Sequence, residues 1–218
     1  MKKRNQKNLS ITISLLISFI LWTVSVNCFD VQAIGPRESS VGFATLNGIF
    51  HRLTGVHMQI YKITDWLGLV PLCFVLGFGV LGLVQLIKKR SLLKVDSDIL
   101  LLGGFYVLVM FAYVMFEVVV INYRPVLIEG YLEASYPSST TMLVMCVMPT
   151  AVMQFHNRIK EKRARKGINY FMIAFTVCMV IGRLVSGVHW VSDIVGGALL
   201  SAGLVMLYYT LNSWSQTN

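Results

Sequence analysis

Arg183, His189 and Asp193 fall close together in the stretch IGRLVSGVHWVSDIVGG, among apolar and small residues. His189 and Asp193 are four apart, so on a helix they would share a face about one turn apart. A carboxylate so placed holds one ring nitrogen of an imidazole and leaves the other free to attack an electrophile or accept a proton. Arg183 adds a planar, permanently charged donor suited to phosphate oxygens. A lone histidine is most often structural. Cation, imidazole and carboxylate grouped at the edge of a hydrophobic segment are costly to keep there, which points to use.

The elements that must position these groups are membrane helices. The chain has 218 residues, 56% hydrophobic and 13% charged, against about 25% charged in soluble domains. That length suits one bundle of five or six spans, a single domain over residues 1–218, rather than several domains. The expected spans are 9–29, 66–87, 99–121, 140–155, 168–186 and 191–211. The first run is longer than a usual signal core, which favours a retained helix over a cleaved leader. Between the first two spans, Phe43, Leu46, Ile49, Phe50 and Leu53 recur at helical spacing with polar residues between them. This predicts an amphipathic helix on the outer membrane surface. Its position makes it a candidate cap over the access to a site. His51 and His57 have no metal-ligand partners in the pattern and read as surface residues. Pro149 is a candidate kink in the fourth span, and Gly196 and Gly197 allow close helix contact in the sixth. The four cysteines, Cys28, Cys73, Cys146 and Cys178, form no CxxC pair, and three lie in apolar runs. They read as packing residues, with neither a disulfide nor a metal implied.

A net charge of +9 raises nucleic acid as a partner, but the distribution of the charge excludes it. With the amino end in the cytoplasm, Lys2, Lys3, Arg4, Lys7, Lys88, Lys89, Arg90, Lys94, Arg158, Lys160, Lys162, Arg163, Arg165 and Lys166 all fall inside. That is 14 of the 19 Lys and Arg. Arg37, Arg52, Lys62, Arg124 and Arg183 are left outside. The positive-inside rule selects this orientation. It predicts a multi-pass plasma-membrane protein with both termini cytoplasmic. It also places the loop with Arg124, the start of the fourth span and the Arg183–Asp193 stretch together on the extracytoplasmic side. Arg124 and Arg183 would form a cradle for a dianion. Ser138, Ser139 and Thr140 open a helix whose free amides and positive dipole end also favour phosphate. His189 is the candidate nucleophile and Asp193 its orienter.

These residues resemble the motifs of the type 2 phosphatidic acid phosphatases. Those are membrane members of the superfamily that also holds bacterial acid phosphatases and vanadium haloperoxidases. Their third motif is Ser-Arg, five residues, His, three residues, Asp. It is matched here by Gly182, Arg183, His189 and Asp193 with the spacing intact. The first, Lys, six residues, Arg-Pro, survives as Arg124 and Pro125. The second, Pro-Ser-Gly-His, survives as Pro137 and Ser138. The resemblance implies an all-α membrane bundle. It also implies a hydrolase in which His189 attacks a phosphoryl group, Asp193 orients it, and Arg124, Arg183, Ser138 and nearby amides hold the phosphoryl oxygens. The substrate would be a phosphorylated or diphosphorylated membrane lipid, and no metal or other cofactor is implied.

Three positions depart from the pattern. Glu117 stands where the family has lysine, Gly182 where it has serine, and Thr140 where it has the histidine read as general acid. Threonine donates a hydrogen bond but is no acid near neutral pH. Losing general-acid help costs roughly 10²–10⁴-fold in rate, and costs most for an alkoxide leaving group. A diphosphate lipid such as undecaprenyl diphosphate, whose leaving group is itself a phosphate, suffers least. Three function classes therefore stand side by side. They are a lipid phosphatase, a catalytically impaired relative that binds or moves phospholipids, and an unrelated small transporter. The last is disfavoured because the spans carry almost no polar path.

Overall fold

The computed structural model describes residues 2–215 and is built of helices. In hydrocarbon each backbone N–H and C=O needs an internal partner, so apolar runs of this length become helices. They are α1 (Lys2–Cys28), α2 (Ala44–Thr54), α3 (Met58–Leu67), α4 (Leu69–Lys89), α5 (Ser97–Val118), α6 (Ser139–Arg158), α7 (Lys162–Val185) and α8 (Val191–Ser215). Among the described residues, five stretches are long and apolar enough to cross a membrane: Arg4–Cys28, Met58–Lys89, Ser97–Val118, Lys162–Val185 and Val191–Ser215.

The helix over the expected span 140–155 is α6, and it stands apart from those five. It lies in the centre of the bundle, against α4, α5, α7 and α8. Thr141, Thr150 and Gln154 are fully buried along it. A helix wrapped by protein need not be as apolar as one facing lipid, because its polar side chains find partners within the bundle. Gln154 bonds the Tyr208 hydroxyl at 2.6 Å, and Thr150 Oγ1 lies 3.2 Å from the Tyr106 hydroxyl.

The second span begins earlier than the sequence pattern predicts. The pattern leaves residues 30–65 between the first two expected spans, 9–29 and 66–87. Instead α3 starts at Met58 and runs into α4 through a single residue, Gly68. Lys62 and Asp65 interrupt the apolar pattern and obscure this continuity. Asp65 is tolerated because it pairs with Arg183 on α7. The expected surface helix is α2. Its buried Asn47 donates to Ser192 Oγ at 2.9 Å and accepts from Ser192 N at 3.1 Å, which docks α2 on the first turn of α8.

α1 packs along α8, with Trp22 Nε1 donating to Ser192 O at 3.1 Å. The pair Gly196 and Gly197 receives the loop before α6. A Cβ at Gly196 would lie 2.5 Å from the Tyr136 ring, so only glycine lets that loop sit so close. At the opposite pole, Arg158 pairs with Asp98 at 3.0 Å and Lys89 with Asp96 at 3.0 Å. The helix directions place Arg124, Ser138, Arg183 and His189 at one pole, and Lys88, Lys94, Arg158 and Lys166 at the other.

Candidate active site

Three segments meet at the first of these poles. Arg124 comes from the loop after α5, where Arg124 N donates to Glu133 O at 3.0 Å. Ser138 caps α6, its Oγ accepting from Thr141 N at 3.5 Å, and Ser138 N donates to Asp193 O at 3.1 Å. That backbone bond ties the start of α6 to the first turn of α8. Arg183 lies on the last turn of α7, and His189 on the short connection to α8.

His189 is therefore not on the helix that carries Asp193. Trp190 precedes α8, and Asp193 sits in the first turn, where its Oδ2 accepts from Trp190 N at 2.9 Å. This is the carboxylate half of a capping box. Asp193 is wholly buried: the same Oδ2 also accepts from the Ser135 hydroxyl, and Oδ1 accepts from Asn122 Nδ2 at 3.2 Å. Its Oδ2 is 3.9 Å from His189 Nδ1, too far for a direct hydrogen bond. Nδ1 lies nearer the Ser135 carbonyl, at 3.2 Å. A carbonyl only accepts, so Nδ1 carries the proton and Nε2 keeps its lone pair. Nε2 faces Arg124 Nη1 at 3.4 Å. Asp193 thus acts on the ring partly through Ser135, a residue outside every motif.

Burial drives the His189 pKa down to about 4, and the charge of Arg124 pushes in the same direction against the opposing pull of Asp193. The ring is neutral and nucleophilic at neutral pH.

The two arginines converge on Tyr61 of α3, whose ring centroid is 5.8 Å from the Arg124 guanidinium carbon and 5.0 Å from that of Arg183. Each also faces a carboxylate: Arg124 Nε lies 3.0 Å from Glu133, and Arg183 Nη2 2.8 Å from Asp65. Arg183, 2% exposed, still has Nε and Nη1 buried without a protein partner, and Arg124 Nε makes its ion pair without an aligned hydrogen bond. The open buried donors of Arg183, beside an Arg124 whose Nε faces Glu133 without an aligned hydrogen bond, suit an oxyanion.

Thr140 Oγ1 accepts from Arg183 Nη2 at 2.5 Å, so its oxygen steadies the arginine. Glu117 pairs with neither arginine. It lines a narrow cleft with Ser139, Tyr136 and His189. Gly182 has a packing reason, since a Cβ there would lie 2.7 Å from Thr64 Cγ2 on α3. Tyr61, Asp65, Asn122, Glu133 and Ser135 were not among the residues singled out from sequence. Only Asp65 carried a signal, as a charge at the edge of an apolar run.

A sequence profile of the PAP2 superfamily matches residues 99–216, and the chain belongs to that superfamily. The class is that of membrane-embedded phosphoric ester hydrolases. Among solved structures, the chain is similar to the crystal structure of the first transmembrane PAP2 type phosphatidylglycerolphosphate phosphatase from Bacillus subtilis. The TM-score is 0.65 at 16% identity, covering 93% of this chain and 96% of that one. At that identity the likeness establishes the fold. No curated protein matches the sequence.

Proposed function

We propose that this protein is a lipid phosphatase that hydrolyses the terminal phosphate of a membrane lipid at the extracytoplasmic face, through a phosphohistidine on His189. The observation that carries the reading is the convergence of Arg124, Arg183 and the unprotonated Nε2 of His189 at one pole of the bundle. The substrate phosphoryl oxygens would take the open donors of the two guanidinium groups, loosening the pairs with Asp65 and Glu133. The Nε2 lone pair then attacks phosphorus as the bond from phosphorus to the lipid oxygen breaks; a diphosphate lipid leaves as a phosphate anion, and the alkoxide of a monoester takes its proton from solvent water. The ring becomes cationic with Nδ1–H held by Ser135 O, and the buried Asp193 carboxylate offsets that charge. Water then attacks the phosphohistidine, releasing inorganic phosphate and restoring the ring. Ser138 is occupied as a helix cap, so its contribution to phosphate binding is to hold the α6 amides in place. The Bacillus subtilis protein of like fold is described as a phosphatidylglycerolphosphate phosphatase, and phosphatidylglycerol phosphate is among the substrates to test.

Thr140 favours a second reading. Its oxygen is engaged by Arg183, and it supplies no proton to a leaving alkoxide. An impaired enzyme of this geometry would bind phospholipids without turning them over. A diphosphate lipid escapes the objection, since its leaving group needs no proton. The test is inorganic phosphate release from phosphatidic acid, phosphatidylglycerol phosphate and a polyprenyl diphosphate by purified protein, beside a His189→Ala control. Release from at least one lipid, lost in the variant, is the expected result. Lipid binding without release in the wild type establishes the second reading.

A further inference from the structure

We infer that Glu117 is the base of the second chemical step, taking a proton from the water that hydrolyses the phosphohistidine. The inference rests on the lipid phosphatase reading, which supplies that intermediate on His189.

When water attacks the phosphohistidine, its oxygen bonds to phosphorus and the bond from phosphorus to Nε2 breaks, returning the electron pair to the ring. The water sheds a proton as it bonds, and a base placed to receive it accelerates such a step by roughly 10²–10⁴-fold. His189 cannot serve, because Nε2 is the leaving atom and Nδ1 keeps its proton against the Ser135 carbonyl. Asp193 is buried with both oxygens occupied, Oδ2 by Trp190 N and the Ser135 hydroxyl and Oδ1 by Asn122. Asp65 holds Arg183, and Glu133 faces Arg124. The Thr140 oxygen accepts from Arg183, and Ser138 caps α6. His51 packs its ring on Trp190 at 5.5 Å, with Nδ1 buried, and does not line the cleft beside His189.

Glu117 does line that cleft. Among the described residues that wall it, Glu117 is the one carboxylate. It stands on the last turn of α5, with the Tyr113 side chain of the preceding turn beside it. A carboxylate at the end of an apolar span is costly to keep there. Neither arginine of the cradle pairs with it, since each faces another acid. The cleft measures about 10 Å³, room for about one water. A water there has the carboxylate and the Ser139 hydroxyl as polar neighbours, between the apolar walls of Phe116 and Met142. The carboxylate draws the water's proton as the bond from oxygen to phosphorus forms, then passes it to solvent. For a monoester this proton replaces the one that the alkoxide took from solvent water, so each turnover consumes one water and the charges balance.

The test uses the purified full-length chain and farnesyl diphosphate radiolabelled on its terminal phosphate. The leaving group of that lipid needs no proton, so the first step does not call on Glu117. Rapid mixing and an alkaline quench, which preserves phosphohistidine, report label on the protein and label released. The wild type should release phosphate with little label retained. Glu117→Gln, an isosteric change at an exposed position, should load His189 in a first turnover and release phosphate about 10²-fold more slowly. Label then accumulates on the protein. Glu117→Lys, which installs the residue of the family motif, should accumulate label in the same way. In Glu117→Ala, added formate should clear the label, which a purely structural loss would not allow. Unchanged release in Glu117→Gln, slower release without retained label, or retained label that formate fails to clear overturns the inference while the hydrolase reading stands. A wild type that neither takes up label nor releases phosphate, from this lipid and from phosphatidic acid alike, overturns the hydrolase reading and this inference with it.

Discussion

His189 is where the environment acts most strongly on a single side chain. An ordinary imidazole titrates near 6.5, but burial, with Arg124 adding to it, takes His189 to about 4. Two consequences follow with opposite protonation partners. In the free protein the ring stays neutral well below pH 6.5, so, with His189 as the proposed nucleophile, the acid limb of kcat/KM for a lipid phosphate should fall below the usual histidine range. A limb centred at 6.5 or higher would contradict the buried geometry. For folding, the unfolded chain takes up a proton near 6.5 while the folded chain refuses it until about 4. Stability at this residue is therefore complete above 6.5 and is lost as pH falls towards 4. His189→Asn should flatten that part of the stability profile in thermal melts between pH 4 and 7. Thr140 supplies a second test. Thr140→His places an acid at the mouth of the cradle but removes the hydroxyl that Arg183 uses. Monoester hydrolysis should rise by roughly 10²-fold if proton donation limits the rate, while diphosphate hydrolysis should change little. A fall on both substrates would mean that the hydroxyl's hold on Arg183 matters more.

Between elements, the controlling contact is that of α3 with α7. It brings Tyr61 and Asp65 to Arg183. Gly182 permits the approach, and Thr64, whose hydroxyl is tied back to Ile60 O and Tyr61 O at 2.9 Å, is the side chain it accommodates. Gly182→Ser would restore the family's motif residue, yet it should weaken this protein. Overpacking of this kind costs about 1–3 kcal/mol, seen as a lower Tm and weaker phosphate binding. Thr64→Ser removes the clashing methyl, so the Gly182→Ser/Thr64→Ser double variant should recover most of the loss. An additive loss in the double variant would place the cause elsewhere. This contact also marks where sequence reading stops. Arg124, Arg183 and His189 could be singled out because each is a costly polar group at the edge of an apolar run. Tyr61 is one aromatic among many, and Ser135 one loop serine. Their roles arise from which helices touch, and no local pattern records that. The spacing of His189 and Asp193 was legible, and so was a span that starts at residue 191; that this start leaves His189 off the helix of Asp193, with Ser135 between them, was not.

For the whole molecule, the most legible feature was the sorting of charge. The basic residues Lys88, Lys94, Arg158 and Lys166 gather at one pole, and the phosphate-binding candidates at the other. α6 was harder to read as a full crossing because its burial lets it carry Thr141, Thr150 and Gln154. The sorting has a consequence for sidedness that can be measured with the protein's own cysteines. Cys28 ends α1 at the pole that holds Arg124, Arg183 and His189 and is exposed, while Cys146 is buried within α6. Cys73 and Cys178 lie inside the candidate spans Met58–Lys89 and Lys162–Val185, out of reach of a water-soluble reagent. If the positive pole faces the cytoplasm, a membrane-impermeant maleimide should label Cys28 in intact cells. In a Cys28→Ser background, Ser91→Cys, in the basic connection between α4 and α5, should label only after the membrane is permeabilised. The reverse pattern would put Arg124, Arg183 and His189 in the cytoplasm. The chemistry of the cradle could survive that result, but the lipids it meets would then be those of the inner leaflet, and the extracytoplasmic assignment would fall.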